Sequence, residues 1–306
     1  MCAIFGVLDY KGNLEAVQRL QLVKALGNAA EVRGIDATGI AFFQRDRLCI
    51  QKAAKPAHKM KYRILAEVRY IMGHTRMTTQ GSASKNQNNH PFPGKAGGTA
   101  FALAHNGVLH NDRELQYDRN FPKTDIETDS YVAVQIIEQQ KELTFDSLCA
   151  MAEAVEGSFV FTVLDQDNNL YFIKGDNPLT IYHYPNLGLY LYASTEGILQ
   201  TALSGLWLEK LKPEIIQPKD GEILRIDRHG QQSCSQFAMT DSWLTWTLPA
   251  WETARNFGRR WPHESTTQYI QDLKSVAGCY GYSPEEIDNL LSDGYVPEEI
   301  ENMLYY

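Results

Sequence analysis

An unbroken apolar run, Ala3 to Leu8, opens the chain and stops at Asp9-Tyr10, which predicts a buried strand over residues 3–10. Lys11-Gly12-Asn13 is a turn. From Leu14 to Val32 the apolar positions Val17, Leu20, Val23, Ala25 and Leu26 recur at roughly helical spacing, so a helix is expected there, ended by residues 33–39. A strand pair follows over 40–43 and 48–52, with 44–47 as its turn. Residues 68–72 read as a strand leading into Gly73-His74-Thr75-Arg76-Met77-Thr78-Thr79-Gln80-Gly81. A polar loop, 82–89, closes on His90-Pro91-Phe92-Pro93. Residues 99–105 form a buried strand that runs into Asn106-Gly107. A second polar loop ends at Glu127-Thr128-Asp129-Ser130, where a helix with Val132, Val134, Ile136 and Ile137 begins. Another helix covers 145–155. From Gly157 the pattern turns to strands at 158–164, 170–174, 180–184 and 189–193, then a short helix to Leu203 and a closing hairpin over 221–227 and 232–237. Asp167-Asn168-Asn169 and Gly175-Asp176-Asn177-Pro178 supply turns.

After about residue 240 the pattern breaks. Trp243, Trp246, Trp251 and Trp261 lie in an irregular segment that either packs back on the body or binds a partner. A short repeat follows: 282–291 is matched by 295–304, each copy reading as a capped helix with Pro at its first position. Ser283 and Glu286 have capping-box spacing. The expected division is a main domain over 1–240 and a Trp-rich linker with a short helical tail over 241–306.

Composition narrows the field. At 306 residues and 43% apolar, the chain can bury a sizeable core. A net charge of −8 argues against a general nucleic-acid binder, which needs a basic surface. The run Lys52, Lys55, His58, Lys59, Lys61, Arg63 is a solvated face or a meeting point for an anion. The five cysteines are odd in number and spread out, without metal-ligand spacing, so no disulfide scaffold, metal site or cofactor is expected. His74, His90, His105 and His110 are read as hydrogen-bonded inside the fold. No membrane span and no signal peptide is evident, so a cytoplasmic enzyme is the default, with no membrane partner and nothing to fix the oligomeric state.

Candidate chemistry begins at Cys2. After removal of Met1, one residue would carry both a thiol nucleophile and an α-amine base; the plainer reading is a buried cysteine opening an edge strand. A nucleophile needs an oxyanion hole, and the Asn106 amide with the Gly107 backbone N–H suits that need. Arg76 can pair with a carboxylate and Asp129 with an ammonium. Together these describe an amino acid attacked at a side-chain amide, glutamine or asparagine.

Cys2-Ala3-Ile4-Phe5-Gly6, Arg33-Gly34-Ile35-Asp36 with Gly39, Gly73-His74-Thr75-Arg76, Asn89-His90-Pro91, His105-Asn106-Gly107 and Thr128-Asp129 follow one another as in class II glutamine amidotransferases, which the chain resembles over roughly residues 2–237. The resemblance implies an α+β fold, the four-layer αββα sandwich of N-terminal-nucleophile hydrolases. It implies that Cys2 forms a γ-glutamyl thioester and releases ammonia, that Asn106 and Gly107 form the oxyanion hole, and that Arg76, Thr79 and Asp129 hold glutamine. Arg33 falls where the family has an arginine near the nucleophile. Two positions depart from the family pattern, Met77 for a tryptophan and Gln80 for a histidine. Nothing after residue 240 resembles a sugar-isomerase or phosphoribosyltransferase domain, so the ammonia is expected to be released or passed to a separate synthetase or transferase. The alternatives are an N-terminal-nucleophile amidase on another small or γ-glutamyl amide, and a non-catalytic glutamine-binding regulatory subunit.

Overall fold

The computed structural model describes residues 2–239, 270, 274, 277, 282–292 and 300. In chain order its elements are β1 (Ala3–Asp9), α1 (Ala16–Ala30), β2 (Ala37–Gln44), β3 (Arg47–Ala53), β4 (Tyr70–Arg76), β5 (Phe92–Ala96), β6 (Thr99–Leu109), α2 (Asp112–Asp118), α3 (Tyr131–Gln140), α4 (Phe145–Ala154), β7 (Gly157–Asp165), β8 (Leu170–Lys174), β9 (Thr180–Tyr184), β10 (Leu189–Ala193), α5 (Glu196–Leu203), β11 (Glu214–Ile216), β12 (Glu222–Ile226), β13 (Gln232–Gln236) and α6 (Pro284–Ser292). The chain divides into two units, Met1–Ser242 and Trp243–Tyr306.

The first unit is an α+β sandwich. One sheet has seven strands in the order β11-β9-β10-β1-β4-β2-β3; the other has six, β13-β12-β8-β7-β6-β5. Each strand serves two cores because its side chains alternate. On β1, Phe5 and Val7 meet α1 and α5, while Ile4 and Leu8 enter the core between the sheets. On β6, Phe101 and Leu103 face α3 and α4, while Ala102 and Ala104 face the other sheet. Such two-sided burial explains the unbroken apolar runs in the sequence. The layers are therefore helix, sheet, sheet, helix, the αββα order expected.

Small residues set the spacing of that middle core. A Cβ on Gly6 would lie 2.3 Å from the Tyr192 ring and 2.6 Å from the Ile71 carbonyl. Ala41, Ala102 and Ala104 are fully buried there beside Tyr190, Tyr192 and Phe172.

Several expected boundaries move. β6 does not stop at residue 105 but continues to Leu109, which puts Asn106 and Gly107 inside a strand rather than after it. β4 carries on through His74, Thr75 and Arg76. β5 and β11 were not expected: β5 contains Pro93 and Gly94, which the sheet accepts because β5 is an edge strand. α2 lies within the stretch whose pattern predicts a polar loop, because only Asp112 and Leu115 are buried, too few for a helical pattern. The turn between β2 and β3 is Arg45-Asp46, both at positive φ (47° and 62°), a two-residue hairpin made without glycine.

In the second unit α6 carries the reciprocal cap expected of it: Glu286 N–H donates to Ser283 Oγ (3.2 Å) and Ser283 N–H to Glu286 Oε2 (2.7 Å). Ala277, Ile287 and Ile300 are buried together. The four tryptophans and nearly all of the second repeat copy lie outside the described residues.

A buried ion pair closes the turn after β1. Arg19 Nη1 donates to Asp9 Oδ2 at 2.8 Å, and Asp9 also accepts from the N–H groups of Asn13 (3.0 Å) and Leu14 (3.2 Å). The Asp9 side chain is fully buried. Arg19→Ala would leave that carboxylate without its cation, and urea unfolding should show a loss of about 3–5 kcal/mol.

Candidate active site

Register places the first residues of the site. Ala3 pairs with Thr75 and Ala37 with Arg76, so Cys2 emerges beside the Arg76-Met77 end of β4. Cys2 Sγ lies 3.4 Å from the Met77 carbonyl oxygen, and Arg33 Nε donates to the Cys2 carbonyl at 2.8 Å. The segment 33–36 clasps this corner. The Asp36 N–H bonds the Arg76 carbonyl (2.9 Å), and the Asp36 carboxylate accepts from the Thr78 N–H (2.7 Å). Gly34 is pressed on the Arg76-Met77 peptide, where a Cβ would come within 2.4 Å of backbone.

The opposite wall comes from the other sheet. Gly107, on β6, has φ +146°, and a Cβ there would sit 1.8 Å from the Ser158 carbonyl oxygen. Only glycine fits. Asp129, just before α3, is buried and receives the Leu109 N–H on Oδ2 (2.7 Å) and the Ser130 hydroxyl on Oδ1 (3.2 Å). Ser130 Oγ is in turn 2.8 Å from His105 Nδ1. With Ser130 donating to Asp129, His105 donates from Nδ1.

One cavity joins these walls. Cys2, Arg76, Met77, Thr79, Gln80, His90, His105, Gly107, Thr128, Asp129 and Ser130 line it. Of the residues picked out by sequence, Cys2, Arg76, Thr79, Gly107 and Asp129 meet there. Asn106 and Arg33 do not line it. The Asn106 amide donates instead to Ser194 Oγ (3.3 Å), which also accepts the Ile4 N–H (2.9 Å), and its carbonyl accepts from Asn177 (3.1 Å). Arg33 acts on the Cys2 backbone, as described.

Burial governs the electrostatics. It pushes the Cys2 thiol above its ordinary pKa, so the thiol holds its proton at neutral pH. Arg76 is buried with its guanidinium already engaged: Nη1 on Asn89 Oδ1 (2.8 Å), Nη2 on the carbonyls of Gln80 and Gly81. The loop after β4 is thereby folded around it. Gln80 Nε2 reaches Asp112 on α2 (3.3 Å), and burial raises the Asp112 carboxyl. Lys52 Nζ donates to the carbonyls of Asn89 and Pro91. Burial, and then the charge of Arg76, lowers its pKa to about 8.

The histidines divide. His74 donates from Nε2 to the His105 carbonyl (2.9 Å), and burial lowers it to about 3. His105 has its Ser130 partner. His90 differs from the expectation: it is buried, yet neither ring nitrogen has a hydrogen-bond partner among the described residues. Its ring packs between His74 and Phe92, each with centroids 4.3 Å away, contacts that offer no acceptor in the right place. Among the described residues no group of three His, Cys, Asp or Glu side chains has metal-holding geometry.

Sequence reasoning missed Ser130, Ser194 and Asp112, and reads Lys52 only as part of a basic run, whereas its Nζ holds the carbonyls of Asn89 and Pro91. A signal existed for Ser130. It stands at the N-cap of α3 but its side chain caps nothing, because it is spent on Asp129 and His105.

A family model described as glutamine amidotransferases class-II matches residues 1–171. Glutamine–fructose-6-phosphate aminotransferase (isomerizing) of Bacillus licheniformis is 28% identical over 230 residues, 72% of this chain and 36% of the relative. The enzyme of that name from Sulfolobus acidocaldarius is 29% identical over 192 residues, 59% of this chain and 31% of the relative. The chain thus spans about a third of the length of these relatives. Among solved structures, glutamine phosphoribosylpyrophosphate amidotransferase from B. subtilis, complexed with ADP and GMP, matches with a TM-score of 0.61 at 19% identity, over 78% of this chain and 50% of that one. That likeness is one of fold.

Lys52 gives a pH signature that needs no assay of activity. Its folded pKa of about 8 lies below the ordinary 10.5, so between these values the unfolded chain binds the extra proton. Stability contributed by this residue rises with pH across that window. Wild type minus Lys52→Met, followed by urea unfolding, should show that rise; a difference independent of pH would contradict it.

Proposed function

Since the chain belongs to the class II glutamine amidotransferases, we propose that residues 1–240 form a glutaminase that uses Cys2 to release ammonia from glutamine. The observation that carries this reading is the single cavity in which Cys2, Arg76, Thr79, Gly107 and Asp129, drawn from both sheets, face one another within the matched region. On this reading residues 241–306 form the Trp-rich linker and helical tail.

The chemistry follows from the geometry. Burial keeps the Cys2 thiol protonated, so a base must act, and removal of Met1 supplies one in the α-amine of Cys2. The sulfur attacks the amide carbon of glutamine, and the oxygen becomes an oxyanion. The Gly107 N–H stabilises it, joined by the Asn106 amide once that group gives up its long contact with Ser194. The carbon–nitrogen bond breaks, the thiol proton passes through the amine to the leaving nitrogen, and ammonia departs. Water then cleaves the thioester to glutamate and restores the thiol.

The cavity leaves about 10 Å³ for the centre of a water-sized molecule, too little for glutamine. Glutamine therefore enters by moving the segment 77–81. Arg76 exchanges the Gln80 and Gly81 carbonyls for the substrate carboxylate, and Asp129 takes the α-ammonium. Arg33 steadies Cys2 through its carbonyl. The ammonia goes to solution or to an acceptor synthetase or transferase. The enzyme works in the cytoplasm, a setting consistent with the four described cysteines, all free. No helix of the described residues is long and apolar enough to cross a membrane.

Intact mass after treatment with diazo-oxo-norleucine tests the nucleophile: a chain lacking Met1 and carrying one adduct at Cys2 is expected, and an unmodified chain retaining Met1 would overturn it. Cys2→Ala should abolish glutamate formation. Asp129→Asn should raise the KM for glutamine about tenfold or more, the cost of one charge-assisted bond. Ser130→Ala should raise it less, and Ser130→Thr should restore it, because the hydroxyl acts by positioning Asp129.

A further inference from the structure

The amidotransferase mechanism leaves two groups in the cavity unused. His90 and Thr128 are each only 4% exposed, and both line the space beside Cys2. Neither the ring nitrogens of His90 nor Thr128 Oγ1 has a hydrogen-bond partner among the described residues. A buried polar group without a partner costs about 1–3 kcal/mol, so such atoms ordinarily face a ligand or water. About 10 Å³ is open to the centre of a water-sized molecule, room for one water or one ammonia.

We propose that His90 and Thr128 form a station for one small neutral hydrogen-bonding molecule, holding first the ammonia released from glutamine and then the water that replaces it. The inference rests on the glutaminase reading for the identity of its ligand. Both occupants suit the donors and acceptors present. A neutral imidazole offers one N–H and one lone pair, and a hydroxyl offers both as well. The rings stay neutral: burial drives His90 well below its usual 6.5, and the neighbouring His74 and His105 push it the same way. Neutral rings and the Arg76 guanidinium disfavour a cation beside His90. The Asp129 carboxylate on the same cavity is the group that would draw ammonium instead, so the station is assigned to neutral ammonia at His90 and Thr128. The balance of the reaction is unchanged. The thiol proton leaves with the amide nitrogen as NH3; water later gives its oxygen and one hydrogen to glutamate, and its second hydrogen to Cys2 sulfur.

The test is a titration of the full chain, labelled with ¹⁵N-histidine, with ammonia at alkaline pH, with His90→Phe used to assign the resonance. The His90 ring nitrogens should shift and saturate, methylamine should give no saturating shift, and Thr128→Val should weaken the response about tenfold. A linear response, or an equal one to methylamine, overturns the station; should Thr128→Val not fold, the methylamine comparison in the native chain decides. Turnover is read separately. With ¹⁵N-ammonia, label should enter unreacted glutamine as glutamate formation falls, both with the half-saturation seen by NMR; exchange that stays linear in ammonia counts against the station. A chain that forms no glutamate at all sinks the glutaminase reading, while the NMR titration still reports on the site by itself.

Discussion

Everything at the site hangs on the burial of β1. All seven of its residues are buried, packed between β10 and β4 in the plane and between two cores across it. A strand so placed cannot slip by one residue without turning Phe5 and Val7 from one core into the other. Its register with β4 is therefore fixed, and with it the point where Cys2 leaves the sheet. Cys2 owes its position to the packing of the hydrophobic residues that follow it.

The polar layer over that frame is a set of clasps rather than a set of free functional groups. Asp36 holds Arg76 and Thr78, Arg33 holds the Cys2 carbonyl, Arg76 holds the loop at 80–81 and 89, and Lys52 holds 89 and 91. Most of these clasps give a buried donor or acceptor its partner, as burial demands, while the Asp36–Thr78 bond is exposed. The same bonds that satisfy the folded chain are the ones substrate would have to replace. Binding energy and loop order are thus exchanged at common atoms.

Much of this was legible in the chain. The strands at 170–174, 180–184 and 189–193 are bounded by turn residues and lie where the pattern puts them. The helices with apolar stripes, α1, α3 and α4, were equally visible, as was the box of Ser283 and Glu286. Local patterning missed α2, which buries too little to show a period, and β5, whose Pro93 reads as a loop. The site divided along the same line. Cys2, Arg76, Thr79, Gly107 and Asp129 were named from residue chemistry and family order, and the structure puts them on one cavity. The partner of Asn106 is 88 positions away, at Ser194. No local signal separates that serine from an ordinary residue preceding a helix. Pairings of that kind exist only in the folded chain.

The cavity is a seam. Arg76 belongs to the seven-stranded sheet and Cys2 directly precedes its strand β1, while Gly107 belongs to the six-stranded sheet, with Asp129 bonded to its Leu109. The sheets on either side of the seam meet in a middle core where Ala41, Ala102 and Ala104 share the space with large rings, so small side chains there let the sheets come close. Those alanines serve as gauge blocks: a bulkier side chain would not merely strain the core but would press the two walls of the cavity apart. Drift in the mid-layer alanines is thus a route by which this scaffold could change its chemistry without altering a single residue of the cavity.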